Sequence, residues 1–584
     1  MSSDLPPSGP PSGPPYGPPT VPAGPPPPGP PEYLQQGAGS PLPRSGGTSG
    51  RRKALIAGGA IVGLGAASAA VFGAVWYFGT GPQPAEALPD STLGYVSIDI
   101  DPSGKQLLEA RETLEKFPAW DDLGISSKKD LREAVFDEVL ADAPCELDYN
   151  DDIEPWLGDR AAAAAVDLGE DEPTPVVVVQ VKDANKAEAA FERFNECEPE
   201  AEGEAAGWAI SGEWAVLAET EDIATQVAED AKDKPLSEDE DFEKWTDEAG
   251  DPGILTAYAA PEAGKWLAEN ADFFGVGGDY ACSAEPMLPE DDPGSDVPDF
   301  DEDFDEDCEE PSPEDMPDEV TEILEDFSGA ALTVRFDDGA LEVETATSIE
   351  AFGFEALTSS DTAGESIETL PEDTAAAIAY GFEEGWFEDF LDYASRFSGM
   401  GTDVDEMIAE AEDELGLDLP EDAETLAGES AVIALGPDFD PDAFFGGDPT
   451  ELPVGLKIKG DPDAIEGVLD KIREGALASE EDAEFFASDS DGDFIAIGPD
   501  DDYRKQILED GGLGGSETYE NVVRESGDAA SILYVNFDAG GGWLEEIFEG
   551  DDELQGNIAP LEAAGVSAWA DDGVGHAVLR ITTE

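Results

Sequence analysis

The chain has 584 residues, with 139 aspartates and glutamates against 28 lysines and arginines and a formal net charge of −111. Such a surface repels nucleic acid and anionic lipid headgroups and attracts cations and basic partners. With 40% apolar residues, 10 Trp and 27 Phe, the chain can build a large core, which excludes a wholly disordered acidic polymer.

The first stretch, "PPSGPPSGPPYGPP" from Pro6 to Pro19, repeats two prolines, a small or aromatic residue and glycine. Proline removes a backbone donor and glycine adds chain entropy, so residues 1–50 are expected to be a disordered cytoplasmic tail. Tyr16 and Tyr33 are handles for a proline-reading domain, although a solvated spacer needs no reader. Arg51, Arg52 and Lys53 then precede an uncharged run over 54–79, with Trp76 and Tyr77 near its end. That length, the basic flank and the aromatic boundary predict one transmembrane helix, N-terminus inside. "AEA" at Ala85–Ala87 resembles a signal-peptide cleavage site, but the apolar run is too long for that reading and follows a long tail.

The remainder says one thing twice. "LPDSTLGYVSIDI" (Leu88–Ile100) returns as "LPEDTAAAIAYGF" (Leu370–Phe382), and "WLGDRAAAAAVDL" (Trp156–Leu168) returns as "LAGESAVIALG" (Leu426–Gly436). "PVVVVQVKDANKAEAAFERFNE" from Pro175 returns as "PVGLKIKGDPDAIEGVLDKIRE" from Pro453. In the two helices Ala187, Ala190, Phe191 and Phe194 match Ile465, Val468, Leu469 and Ile472, each set on one helical face. Glycine hairpins follow in Ala209–Glu219 and Ala487–Gly498, then "GILTAYAAPEAGKWL" against "SILYVNFDAGGGWL", which aligns Trp266 with Trp543. Strand pairs around Asp-Asp-Gly close both series, in Ala331–Thr345 and Val566–Thr582. Most landmarks lie about 270–282 positions apart and keep their order. The last pair lies closer because the first series carries an acidic insert over 273–326.

The expected fold class is therefore α+β: a tandem duplication of an α+β unit of antiparallel-rich sheet and amphipathic helices, preceded by the transmembrane helix and the Pro-rich tail. Repeat 1 spans 88–350 and repeat 2 spans 366–584, each with about seven strands. The halves are expected to pack about a pseudo-twofold axis with a cleft or interface between them. "PVVVVQV" is apolar on both faces, as in a strand covered on both sides.

Four cysteines, Cys145, Cys197, Cys282 and Cys308, fall outside the membrane in this topology, where disulfides persist. Three connectivities exist; Cys282–Cys308 and Cys145–Cys197 join the nearest segments. The absence of CxxC spacing argues against zinc or redox chemistry. In the insert Asp299, Asp301, Asp303, Asp305 and Asp307 alternate, a density of hard oxygen ligands that calcium accepts and that a solvated loop also explains. Asp489, Asp491 and Asp493 resemble a calcium loop, but Gly492 comes early, Asp500 replaces the expected Glu, and the segment aligns with a plain hairpin turn. His576, the one histidine, alternates with Val574, Val578 and Arg580 and reads as a surface strand residue. GxSxG, Walker, HExxH and GxGxxG patterns are absent, so no catalytic, cofactor or metal residue is assigned.

The Leu-Pro-x-x-Thr strand opening, "DPSGKQ" at Asp101–Gln106 and "LEKFP" at Leu114–Pro118 resemble an uncharacterised family of actinobacterial membrane proteins, domain of unknown function 3352. The resemblance implies an envelope setting and carries no activity or catalytic residues with it. The expected function is a single-pass cell-envelope protein whose extracytoplasmic domain binds a ligand or partner, such as a cation, an apolar molecule or a basic envelope protein. A carboxylate-dependent hydrolase and a ligand-free spacer are the alternatives.

Overall fold

Two dipeptides set the centre of the fold. Asp338-Gly339 and Asp572-Gly573 have φ of 49° and 85°, and of 45° and 84°. Positive φ at both central residues is the type I′ turn, whose twist matches a hairpin. These turns join β7 (Ala330–Asp337) to β8 (Ala340–Ser348), and β15 (Leu561–Asp571) to β16 (Val574–Thr583). Gly212 and Gly492, at φ 64° and 62°, open two-residue turns between β4 (Gly207–Ser211) and β5 (Trp214–Ala218), and between β12 (Ser488–Asp491) and β13 (Phe494–Ile497).

The structure is a computed structural model that describes residues 83–99, 105–118, 148–170, 172–197, 206–269, 318–349, 360–397, 408–409, 412, 416–439, 452–475, 485–541, 543 and 552–584. The other strands of the first half are β1 (Thr92–Asp99), β2 (Leu157–Val166), β3 (Thr174–Val181) and β6 (Leu255–Ala259). Those of the second are β9 (Ala376–Gly381), β10 (Ser430–Leu435), β11 (Val454–Lys459) and β14 (Ser531–Asn536). All sixteen form one sheet, in the order β12-β13-β11-β10-β9-β14-β15-β16-β8-β7-β6-β1-β2-β3-β5-β4. Outward from the central pair β16–β8, corresponding strands follow in the same sequence on either side.

The strand openings use the same local chemistry. Thr92 Oγ1 donates to the Pro89 carbonyl and Thr374 Oγ1 to the Pro371 carbonyl, both at 2.7 Å. The preceding Leu88 and Leu370 are fully buried, and their carbonyls accept from the Leu236 and Leu513 amides at 2.7 and 2.9 Å. Helices Glu240–Glu248 and Glu517–Val522 follow shortly after, capped by the side chains of Asp239 and Ser516. Each cap satisfies amides that the first helical turn would otherwise leave open.

The sheet carries apolar residues on both faces. One face packs Tyr95, Val178, Val216 and Tyr258 with the helix residues Ala224, Val227 and Trp245. In the other half it packs Ala379, Val432, Ile532 and Tyr534 with Tyr503, Tyr519 and Val522. On the opposite face the helix Ala184–Cys197 covers Val177, Val179 and Ala215, while Pro462–Gly475 covers Ile458, Ile495 and Ile497. The central strands receive the helix Lys105–Leu114 against Phe336, Val334 and Leu341.

This arrangement corrects the expected fold class. In place of two separate α+β lobes of about seven strands packed about a pseudo-twofold axis with a cleft or interface between them, one antiparallel sheet of sixteen runs unbroken through the middle. β8 and β16 are neighbours by backbone pairing from Leu341–Ile581 to Ser348–Val574, so the halves meet in a ladder. The expected transmembrane helix is also not seen: no helix among the described residues is long and apolar enough to cross a membrane. Residues 54–79, where that helix was placed, and residues 1–50 lie outside the described ones. Ala85–Ala87, compared above with a cleavage site, belongs to a 3-10 turn over Pro84–Ala87, with Ala85 and Ala87 buried in the first core.

Candidate functional site

The seam between the halves, where a cleft or interface was expected, is filled by charge. Arg580 of β16 stands opposite Glu342 of β8, and Arg335 of β7 stands opposite Glu342 on its other side. Arg580 and Glu342 are both buried and form an ion pair, and Arg335 pairs with Glu342 and with Glu344. Arg580 Nε also donates to the Asn521 carbonyl at 2.7 Å, and its Nη2 donates to the Asp337 carbonyl at 3.1 Å. Arg524 contacts Asp337 Oδ2 at 3.1 Å and Glu342 Oε2 at 3.7 Å. Three guanidinium groups thus meet three carboxylates with supplementary backbone acceptors, the condition for buried charges to be tolerated.

The other end of the same ladder differs. His576 lies opposite Ala346 on β8 and Trp569 on β15. Its ring stacks on Trp569 with centroids 5.2 Å apart and 11° between planes. The side chain is 9% exposed, with Nε2 3.8 Å from Glu248 Oε2 and Nδ1 without a hydrogen-bond partner. The expected surface histidine is therefore a largely buried one. Its alternation with Val578 and Arg580 did place them on one strand face, but that face is covered by the helices Glu240–Glu248 and Glu517–Val522.

Among the described residues an exposed apolar row lies on the opposite face. Ile378 of β9 lies between Ile433 of β10 and Leu533 of β14 in cross-strand register. Ile433 is 52% exposed, Leu533 40%, and Tyr380, one pleat along from Ile378, 38%. Val96 of β1 holds the position of Ile378 in the first half, since each stands four residues after the threonine that opens its strand. It is 41% exposed between Ala163 and Ala257. Both halves leave the same row open, with larger side chains in the second. Beyond one end of these strands, four to six residues along the chain from the row, exposed Glu383 and Glu384 follow β9, exposed Glu429, paired with Lys459 at 2.9 Å, precedes β10, and exposed Asp528 precedes β14. An apolar strip with a carboxylate fringe can hold a surface that presents apolar and cationic groups together.

Other polar groups hold the fold. Asp152, in the turn before β2, accepts from the Asp148 amide at 2.9 Å and from Arg193 on the helix Ala184–Cys197. Asp422, before β10, accepts from the Asp418 amide at 2.7 Å and from Lys471 Nζ at 2.6 Å on the helix Pro462–Gly475. Burial pushes both carboxyls up, but the backbone amides and the facing cations outweigh it and hold both below the ordinary aspartate range. Lys457 of β11 is buried where β3 has Val178; its Nζ donates to Thr369 Oγ1 at 2.7 Å and lies 4.6 Å from the centre of the Phe494 ring. Burial pushes its ammonium down to about 8, opposed by Asp510.

Among the other positions singled out in the sequence, Asp489 and Asp491 lie on β12, with Gly492 and Asp493 in the turn to β13. Asp489 Oδ2 accepts from Arg504 Nε at 3.0 Å, so one arm of the supposed calcium loop is engaged by a buried guanidinium. Among the described residues no group of His, Cys, Asp or Glu could hold a metal ion. Cys197 ends the helix Ala184–Cys197; Cys145, Cys282, Cys308 and Asp299 to Asp307 lie outside the described residues. The seam charges and the open row escaped sequence reading. Their signal was present as Arg335, Glu342, Glu344 and Arg580 in otherwise apolar strands, but strand pairing gives it meaning.

A family model described as "Protein of unknown function (DUF3352)" matches residues 55–212, which include β1 to β4. No curated protein and no solved structure matches the chain.

Proposed function

We propose that the protein is a non-catalytic binding protein of the cell envelope, whose partner is a polypeptide segment presenting apolar side chains bracketed by lysine or arginine. The open row Ile433–Ile378–Leu533 carries this reading. A sheet face of this kind suits a side-chain surface better than a small molecule, for which a concave pocket is the rule. The fringe of Glu383, Glu384 and Asp528 and the net charge of −111 favour a basic partner and speed its approach. The resemblance to actinobacterial membrane proteins supports the envelope setting.

The test is titration of the full chain with a basic amphipathic peptide and with a peptide of the same charge lacking the apolar residues. Replacing Ile433 and Leu533 by serine leaves the protein's charge unchanged. It is expected to weaken binding of the first peptide at least about tenfold, or about 1.4 kcal/mol, and to leave the second unaffected. Equal binding of both peptides to both proteins would reduce the interaction to charge alone and end the proposal.

A further inference from the structure

The seam between β8 and β16 has an approximate dyad. Asp338-Gly339 and Asp572-Gly573 are corresponding turns, so Glu342 corresponds to His576, Glu344 to Val578 and Ala346 to Arg580. In the observed register Glu344 faces Val578, Glu342 faces Arg580, and Ala346 faces His576. The backbone of either strand would accept a copy of itself in this same register, because antiparallel ladders of corresponding strands are interchangeable. The side chains would not. A β8 strand against a second β8 places Glu344 directly opposite another Glu344 and leaves Glu342 against Ala346. A β16 strand against a second β16 places Arg580 opposite His576, and the buried guanidinium loses its carboxylate.

We infer that Arg335, Glu342, Glu344 and Arg580 form a pairing code, which admits β16 to β8 and rejects a second β8 or a second β16. The physical basis is that like charges directly opposite each other destabilise a ladder, and that a buried charge without its partner costs more than the pair contributes. A polar cluster inside an otherwise apolar strand pair is also the known means of fixing register. The function of the code is to keep copies from joining through β8–β8 or β16–β16 ladders, a hazard wherever one chain holds two interchangeable edges. The cluster has no comparable role on the open row, so this inference stands independently of the proposed binding activity.

The experiment compares full-length chains by light scattering after size separation, in molar sodium chloride, where the screening length is about 3 Å and the overall negative charge no longer separates copies. The first variant makes the seam apolar: Arg335→Leu, Glu342→Leu, Glu344→Val and Arg580→Leu. It is expected to fold with unchanged circular dichroism and to lose monomer to dimers and larger species, while the native chain stays monomeric. With Glu344→Cys in place of Glu344→Val, and dissolved oxygen as the two-electron oxidant, non-reducing peptide mapping should find the chain joined to its copy by a disulfide at that position, which only β8 against β8 can produce. A milder variant, Glu344→Gln alone, keeps the Arg580–Glu342 pair and should shift the native chain partway in the same direction, so the test survives if the quadruple variant fails to fold. Monomeric variants throughout, or oligomers without the link at position 344, would overturn the inference.

Discussion

Arg580 and Glu342 face each other across β16 and β8, at 2% and 3% exposure, where the two halves of the sheet meet. Neither charge is reachable by bulk water, so each depends on the other and on Arg335, Asp337 and Asn521.

Arg580→Ala should therefore cost about 3–5 kcal/mol, the range for removing one partner of a buried pair, read as a lower urea midpoint. Arg580→Leu combined with Glu342→Leu should cost less than Arg580→Leu alone, because no carboxylate is then stranded at that position. Additive losses would mean that the two residues do not act as a unit.

Acid should weaken the ties between sheet and helix. Asp152 and Asp422 have folded-state values below their ordinary ones. Their contribution is thus present above about pH 4 and is lost as pH falls through the folded value. Asp152→Asn and Asp422→Asn should lower stability at pH 7, and the gap to the native chain should close on acidification. Denaturant curves at a series of pH values read this directly; a constant gap would contradict it.

Lys457 titrates in the opposite region. Its ammonium loses its proton near 8 in the folded chain and near 10.5 in the unfolded one, so between these values the unfolded state binds more protons. Stability should rise as pH climbs through that window. Lys457→Met should flatten the rise and be the more stable chain at pH 7, by on the order of 3 kcal/mol at 1.36 kcal/mol per unit. The lost hydrogen bond to Thr369 subtracts from that gain. Melting temperatures of both chains at pH 7 and pH 10 decide the matter.

Salt should stabilise the whole molecule. A net charge of −111 repels itself in the compact state, and added ions screen that repulsion. The melting temperature is expected to climb with sodium chloride. Calcium in excess of its ionic strength would point to a bound ion, and an equal effect to screening alone.

Much of the local structure was legible because short-range chemistry dictates it. Asp-Gly at 338–339 and 572–573 admits the left-handed backbone, Thr92 and Thr374 can reach back to a proline carbonyl, and the periodicity at Ala187 and Ile465 marks a buried helix face. The joining of β8 to β16 was not legible, because nothing local says which edge meets which. His576 shows the same limit: alternation assigns residues to a face, but apolar side chains stand on both faces of this sheet, so the pattern cannot say which one is covered. β12, "SDSD", has no apolar residue, and its strand character comes from β13 beside it.

The sheet ends at β4 and β12, which have five and four residues. The β4 margin carries the helix Glu221–Asp233 close by, and the β12 margin presents Asp489 and Asp491. Short and acidic borders make poor templates for an incoming strand. A ribbon this wide could in principle lengthen without limit by adding molecules side to side; these two margins act as stops, and extending β12 with uncharged β-branched residues should be enough to start fibre growth.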